Sequence, residues 1–261
     1  MLLTSVVLVL REVLEASLLI SILSAFSGVL GIKRSWIGWS LLFGLAGALV
    51  YSFAVSTISD WFDGVGQEVI SATMQFLIFL LLLLFAFLAV RDRNGQQGSG
   101  GLIVPVMIMM VSVAVAREGF EILVYLHGFS ADLPRFMTIV SGAVIGACIG
   151  ISVGVVIYYF VSALQGRLLW IAGLGLLSLV AAGMLSQAVL LLIQADWLPS
   201  QLPIWDSSGW LSENSVTGQL LYALIGYEAT PTALQAALYF GGLFLFLIIA
   251  VLSVRPGKQY P

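Results

Sequence analysis

The sequence predicts an all-α integral membrane protein, and three observations lead to that fold class. Of the 261 residues, 61% are hydrophobic and only 9% are charged, whereas soluble domains carry about 25% charged residues. Apolar runs of about 20 residues or more recur along the chain, which is the length that a helix needs to cross a hydrocarbon core. The alternating pattern of membrane barrel strands is missing from these runs. A water-soluble domain, a disordered chain and a disulfide-rich secreted fold are therefore excluded.

Seven apolar runs are predicted to be transmembrane helices. They cover residues of about 2–31, 36–58, 69–90, 102–128, 136–164, 168–195 and 217–253. The first run has no basic segment before it, so we expect it to be retained as a span and not cleaved as a signal peptide. The last run is longer than a crossing requires, and Pro231 should kink or break it near residues 227–231.

Basic residues predict the orientation in the membrane. The segments after spans 1, 3, 5 and 7 carry Lys33, Arg34, Arg91, Arg93, Arg167, Arg255 and Lys258. The intervening loops are acidic, and Arg135 is their only basic residue. Because cytoplasmic loops are enriched in Lys and Arg, we expect the N-terminus outside and the C-terminus in the cytoplasm.

The domain organisation follows from one linker-like segment, Asp-Arg-Asn-Gly-Gln-Gln-Gly-Ser-Gly-Gly, at residues 92–101. It separates a first three-helix repeat at 1–91 from a second at 102–195. An outer loop at 196–216 and a seventh helix with a cytoplasmic tail at 217–261 complete the chain. Since three is an odd number, the second repeat enters the membrane inverted relative to the first, as in many secondary transporters.

Charged residues inside two of the predicted spans form a repeated motif, R-E-x-x-E. Its members are Arg11, Glu12 and Glu15 in span 1, and Arg117, Glu118 and Glu121 in span 4. At helical spacing each trio shares one face, about 15 Å below the outer surface. A charge at that depth costs about 2.5–3.5 kcal/mol. We expect each arginine to pair with the glutamate four residues later, and the other glutamate to find a different partner.

Two interpretations of this charge cluster are open, namely two salt-bridged helices locked together or an ion site where spans 1 and 4 face each other. The ion site is favoured because pairing seldom repays the cost of burying charges in full. Four carboxylates and two guanidiniums carry a formal charge of −2 and therefore favour a cation. The single His127 and Cys148 lie outside the motifs, and the methionines at 107, 109 and 110 indicate packing or lipid contact. The motifs do not offer the thiolate and imidazole ligands that soft metals prefer, whereas carboxylates could bind iron(III), manganese(II), calcium or magnesium.

The doubled motif, in spans 1 and 4 of a seven-span protein, resembles the oxidase-dependent iron permease family of fungi and bacteria. Gly226-Tyr227, Pro231, Gln235 and Tyr239 in the last span and Ala182-Gly183 in span 6 also fit that family. The resemblance implies uptake of ferric iron, Fe(III). Its implied iron ligands are Glu12, Glu15, Glu118 and Glu121, with Arg11 and Arg117 as motif partners. The short loops and scattered outer acids are similar to the bacterial type.

The resulting hypothesis is a bacterial inner-membrane permease that imports ferric iron and is not an enzyme. It predicts no catalytic residue, no bound cofactor and no nucleic-acid partner. The large periplasmic extension of some bacterial relatives is not found in this sequence, so a separate ferroxidase or iron-delivery protein is expected. The alternatives are a permease for Mn(II) or Pb(II), and a membrane redox enzyme with a carboxylate-bridged metal pair. The last is disfavoured because such sites usually pair Glu with Glu-x-x-His.

Three further features have open interpretations. Gly142, Gly146, Gly150 and Gly154 form a stripe of small residues on span 5 that permits close helix packing. The stripe serves either packing inside the protomer or a homo-oligomer interface. Glu228, near Pro231, lies either at the outer membrane interface or along the path by which ions enter. The outer loop carries Trp197, Trp205 and Trp210, which form either an aromatic belt or a docking site for a partner, and the belt is favoured.

Overall fold

The computed structural model describes residues 2–93, 100–213 and 215–254, and within them the protein is helical. Its α-helices are α1 (Leu2–Val29), α2 (Ser35–Ser59), α3 (Gly66–Arg93), α4 (Gly100–His127), α5 (Leu133–Ala163), α6 (Gly166–Gln194), α7 (Val216–Ile225) and α8 (Ala233–Val254). A short 3-10 turn, Trp61–Gly64, connects α2 to α3. Helices α2 to α6 are each long and apolar enough to span a membrane. Helix α1 is 28 residues long and carries the first motif. The chain is therefore a multi-pass membrane protein.

The last predicted span consists of two helices, as the position of Pro231 suggested. Helix α7 has only 10 residues and begins at a cap, where the Ser215 hydroxyl accepts a hydrogen bond from the Gly218 amide. It ends at Gly226, whose φ of +67° is in the left-handed region that glycine tolerates. Residues 226–232 are not helical, and α8 begins after them. The predicted break near residues 227–231 is confirmed.

The predicted linker and tail lie largely outside the described residues. Helix α3 extends to Arg93 and α4 begins at Gly100, so both helices take up the ends of the predicted 92–101 segment. Residues 94–99 lie outside the described part, and so do Arg255 and Lys258 in the tail.

Crosswise helix pairing connects the two halves of the chain. Helix α1 runs parallel to α5, because the positions of Gly142, Gly146, Gly150 and Gly154 follow those of Leu2 to Ser17 in order. A Cβ on Gly146 would lie only 2.4 Å from the Val6 carbonyl oxygen. In the same way α2 runs parallel to α4, with Gly44 against Val115. The first helix of each half thus packs on the second helix of the other half.

The glycine stripe of α5 is covered by α1 within the protomer. Its four glycines are buried and lie against backbone and side-chain atoms of α1. Of the two interpretations of the stripe, packing inside the protomer is the one observed. The stripe is therefore not available to a second copy of the chain.

The polar ends of the helices divide the molecule into two faces. We call the face that carries Lys33, Arg34, Arg91, Arg93 and Arg167 the basic face. Arg34 lies over the ring of Tyr158, and Arg93 lies over that of Trp170, 4.9 Å from the ring centroid. The opposite face, called the acidic face here, contains the first residues of α1 and the acidic loops.

The hydrophobic core is packed most closely between the motifs and the basic face. There Phe26 of α1 makes edge-to-face contacts with Phe85 of α3 and Trp170 of α6, at centroid distances of 5.7 and 5.2 Å. Met107 and Met110 of α4 are fully buried in the same cluster. This packed core lies on the basic side of the motifs.

Candidate metal-ion site

The two motifs meet where α1 and α4 cross in antiparallel directions. Arg11 of α1 contacts Glu121 of α4, and Glu15 of α1 contacts Arg117 of α4. Nearer the acidic face the hydroxyls of Ser5 and Tyr125 are 2.8 Å apart and join the same two helices. All six charged residues that the sequence singled out therefore lie in one cluster, which we call the motif cluster.

Ion pairs in the motif cluster follow an approximate twofold symmetry. Arg11 contacts Glu12 at 2.9 Å, Glu15 at 4.0 Å and Glu121 of the other helix at 3.8 Å. Arg117 likewise contacts Glu118, Glu121 at 2.8 Å and Glu15 of the other helix at 3.7 Å. Each arginine thus pairs with both glutamates of its own motif and with the last glutamate of the other. The expectation that one glutamate of each motif would find a partner other than its own arginine is wrong. The arginine side chain is long enough to contact the adjacent glutamate as well as the glutamate four residues later.

Three of the four predicted ligands lie close enough together to share one ion. Carboxylate oxygens of Glu12, Glu118 and Glu121 all lie within 4.8 Å of one another. One oxygen of Glu12 and one of Glu118 are buried and receive no hydrogen bond from any described residue. Buried oxygens without donors are rare and require an explanation, and a cation would satisfy them. Glu15 lies outside this trio; it contacts both arginines and also has one buried oxygen without a hydrogen-bond donor among the described residues.

Exposure breaks the symmetry of the motif cluster. The side chains of Arg11 and Glu121 are each 29% exposed, whereas those of Arg117 and Glu15 are 5% and 4% exposed. Glu12 and Glu118 are almost completely buried on both sides. The cluster is therefore open at its Arg11–Glu121 corner and closed at the Arg117–Glu15 corner.

A cavity of about 380 Å³ leads to the open corner, and we call it the vestibule. It is lined by Leu3, Thr4, Val7, Leu8, Arg11, Glu12, Glu121, Val216 and Gln219. Its walls belong to the first turns of α1 and to the start of α7, so it approaches the cluster from the acidic face. An ion entering here meets Arg11, Glu12 and Glu121 first.

Sequence reasoning missed Tyr222, which lies beside the motif cluster. The Arg11 guanidinium carbon is 5.1 Å from the centroid of the Tyr222 ring. Tyr222 and Gln219 are three residues apart on α7, so both polar groups lie near one face of an otherwise apolar helix. Polar side chains inside an apolar run are the signal that could have found them.

A second missed polar pair, Gln75 of α3 and Gln187 of α6, is buried between the two central helices. The Gln75 amide donates to the Gln187 carbonyl oxygen, and the Gln75 carbonyl oxygen is buried without a donor among the described residues. The pair joins the third helix of each half.

Glu228 lies apart from the motif cluster, in the non-helical segment between α7 and α8. It lines a cavity of about 180 Å³ together with Ser186, Tyr227, Pro231 and Tyr239. The surrounding backbone is bonded to the loops of the acidic face, since the Ala229 carbonyl oxygen accepts from the Ser207 amide at 2.9 Å. Glu228 therefore lies near the outer loop, and its role as an entry-path carboxylate stays a prediction.

The remaining candidate ligands lie away from the cluster. His127 is the last residue of α4, and Cys148 is exposed on α5. Met107 and Met110 are buried in the core while Met109 is 49% exposed, in agreement with the packing or lipid contact expected of them. Oxygen atoms are thus the donors that the site offers.

The motif cluster consists of paired charges buried between packed apolar helices, and the vestibule leads to it. These features identify the chain as a membrane transport protein. Within that class, residues 2–258 match the model of the Iron permease FTR1 family. The chain belongs to this family of permeases.

Similar proteins are found in enteric bacteria, among them three named ferrous iron permease EfeU. The one from Escherichia coli O6:K15:H31 (strain 536 / UPEC) is 27% identical over 277 residues, which cover 96% of this chain and 95% of the relative. The one from Yersinia pestis is 26% identical over 270 residues, covering 94% and 92%. The one from Shigella sonnei (strain Ss046) is 26% identical over 277 residues, covering 96% and 95%. No solved structure matches the chain.

Proposed function

We propose that this protein imports iron across a bacterial inner membrane and that the ion binds in the motif cluster. The observation that carries the proposal is the trio of Glu12, Glu118 and Glu121, whose oxygens lie within 4.8 Å of one another at the end of the vestibule. Membership of an iron permease family identifies the cargo class. Glu15 is proposed as the fourth ligand, reached when the arginines move.

The proposed topology has seven crossings, with α7 and α8 together forming the last. The N-terminus is outside and the C-terminus is in the cytoplasm, because the basic face should be cytoplasmic. The vestibule then opens to the periplasm, and the packed core around Phe26 closes the cytoplasmic side. In this arrangement the protein is ready to receive an ion for import. A separate ferroxidase or iron-delivery protein would supply that ion at the vestibule.

We propose Fe(III) as the transported form, and Fe(II) is the second candidate. Fe(III) is the form that the sequence resemblance implies. Two observations favour Fe(II): the relatives bear the name ferrous iron permease, and the resting cluster has a formal charge of −2. A divalent ion would neutralise that charge, and neutrality matters where the surroundings have a low dielectric constant.

Uptake of radioactive iron into proteoliposomes tests both parts of the proposal. Fe(III) citrate, Fe(II) kept reduced by ascorbate, Mn(II) and Pb(II) are compared for the wild type, Glu12→Gln and Glu118→Gln. We expect iron uptake that is lost in both variants, because each substitution removes a charged ligand. Asp60→Asn, which changes an exposed carboxylate far from the cluster, is the matched control and should transport normally.

Each result has a definite meaning. Fe(III) uptake lost in both glutamate variants supports the proposal as stated. Uptake of Fe(II) alone overturns the oxidation state but retains the site, and uptake of only Mn(II) or Pb(II) overturns the cargo. Normal iron uptake by both variants shows that the ion does not bind in the motif cluster.

A further inference from the structure

The guanidinium of Arg11 contacts carboxylates that should bind the cargo. It lies 2.9 Å from Glu12 and 3.8 Å from Glu121, two of the three carboxylates that could share an ion. A cation that reaches these carboxylates repels the Arg11 guanidinium and competes with it for the Glu12 and Glu121 oxygens that it contacts. Arg11 is also the arginine that the vestibule reaches, whereas Arg117 is enclosed on the other side.

An aromatic ring, that of Tyr222, lies over the Arg11 guanidinium. The Tyr222 centroid is 5.1 Å from the Arg11 guanidinium carbon, inside the range of about 6 Å for a cation–π contact. In the described part of the chain no ring lies over Arg117. Tyr222 belongs to α7, which is part of neither three-helix half, so the twofold symmetry of the cluster does not extend to it.

The other two cation–π contacts among the described residues lie in different surroundings. Arg34 with Tyr158 and Arg93 with Trp170 lie at the basic face, away from any carboxylate cluster. The Tyr222 ring, in contrast, lies over an arginine that contacts carboxylates of the motif cluster at 2.9 and 3.8 Å. Its ring is therefore an uncharged surface within reach of the Arg11 guanidinium.

We propose that Tyr222 is a positioning residue for the cargo site, whose ring holds the Arg11 guanidinium once an ion has displaced it from Glu12 and Glu121. This inference rests on the proposed function. In the empty site Arg11 has carboxylates as its main partners, and the ring is secondary. In the occupied site the ring is the main partner of Arg11, so it stabilises the occupied state more than the empty one.

The position of Arg11 also sets the charge that the ion meets. With both arginines among the carboxylates the formal charge is −2, which suits a divalent ion. With Arg11 held on Tyr222, the four glutamates and Arg117 carry −3, which suits a trivalent ion. Tyr222 thereby favours Fe(III) over Fe(II).

Removal of the Tyr222 ring tests this role. Tyr222→Leu should raise the KM for Fe(III) uptake roughly tenfold while Vmax changes less, since a desolvated cation–π contact is lost mainly from the occupied state. Tyr222→Phe keeps the ring and should stay within about twofold of the wild type. Selectivity for Fe(III) over Fe(II) should fall in Tyr222→Leu and not in Tyr222→Phe.

A double-mutant cycle separates this role from a structural one. In an Arg11→Gln background, Tyr222→Leu should have no further effect on KM, because no guanidinium remains to be held. Equilibrium binding of radioactive Fe(III) to purified protein in detergent should repeat the pattern. If Tyr222→Leu does not fold, Tyr222→Met, alone and in the Arg11→Gln background, provides the same comparison.

Three results would overturn the proposal. The first is a wild-type KM in Tyr222→Leu, and the second is a defect in Tyr222→Phe as large as in Tyr222→Leu. The third is a Tyr222→Leu defect that persists in the Arg11→Gln background. Each of them presupposes iron uptake by the wild type, so they differ from failure of the proposed function, in which the wild type itself transports no iron.

Discussion

The two corners of the motif cluster have the same ion pairs and very different surroundings. Arg11 and Glu121 are each 29% exposed at the vestibule, whereas Arg117 and Glu15 are almost fully buried. The same residue types with the same contacts thus occupy an open and a closed corner. Because the pairing is symmetric and the exposure is not, the arrangement of the surrounding helices, and not the motif itself, determines from which face the ion site is reached.

Thiol labelling provides the largest expected contrast between the corners. Thr4 and Met110 each precede their motif arginine by seven residues, yet Thr4 is exposed in the vestibule and Met110 is fully buried. In a Cys148→Ala background, Thr4→Cys should react fully with a membrane-impermeant maleimide and Met110→Cys should not react. Equal labelling of both positions from one side would show that the vestibule asymmetry is wrong.

Removal of each arginine should destabilise the protein to different extents. Arg117→Gln removes the arginine partner of the buried Glu118 and one of the two arginine partners of Glu15 and of Glu121, and it should cost about 3–5 kcal/mol of unfolding free energy. Arg11→Gln should cost clearly less, because water in the vestibule can solvate Glu12 and Glu121. Thermal unfolding in detergent measures both, and a larger loss for Arg11→Gln would contradict the difference in burial.

Disturbing the close packing between α1 and α5 should reduce the stability of the protein by an intermediate amount. A Cβ on Gly146 would meet the Val6 carbonyl oxygen at 2.4 Å and the Leu10 amide nitrogen at 2.9 Å. Gly146→Ala should therefore destabilise the protein by about 1–3 kcal/mol. Gly175→Ala is the matched control, since a Cβ there meets open space, and it should be neutral or slightly stabilising. Equal stability of the two variants would show that the two helices are not in tight contact.

The smallest loss of unfolding free energy is expected when an ion pair outside the motif cluster is broken. Arg135 and Asp132 are 2.9 Å apart, much like Arg117 and Glu121 at 2.8 Å, but their side chains are 62% and 46% exposed. Arg135→Gln should change the unfolding free energy by at most about 0.5 kcal/mol. A loss comparable to that of Arg117→Gln would mean that distance, and not burial, determines the strength of these pairs.

Much of the architecture could be predicted because membrane helices are encoded in local composition. The apolar runs predicted the long helices, Pro231 predicted the break before α8, and the repeated motif predicted that α1 and α4 meet. The glycine stripe indicated a close contact but not its partner, since small residues permit any helix to approach.

Other features of the site depend on packing and could not be predicted from spacing. Helical geometry placed Arg11 and Glu15 on one face, but the contacts of Arg11 with Glu121 depend on how α1 crosses α4. The difference in exposure between the two corners depends on which helices surround each corner, and only the Arg11–Glu121 corner lines the vestibule. Tyr222 was missed because a single tyrosine in an apolar helix resembles an ordinary packing residue until its neighbour is known.

The crosswise pairing of helices has a consequence for biogenesis. Helix α1 leaves the ribosome with Arg11, Glu12 and Glu15 long before Arg117 is synthesised, 106 residues after Arg11. Its packing partner α5 emerges later still. During this interval three charges have no partner from the second half, so we expect the nascent α1 to remain at the insertion machinery until α4 and α5 follow. For the same reason, neither half of the chain should be a stable product by itself, and truncation after α3 should lead to rapid degradation.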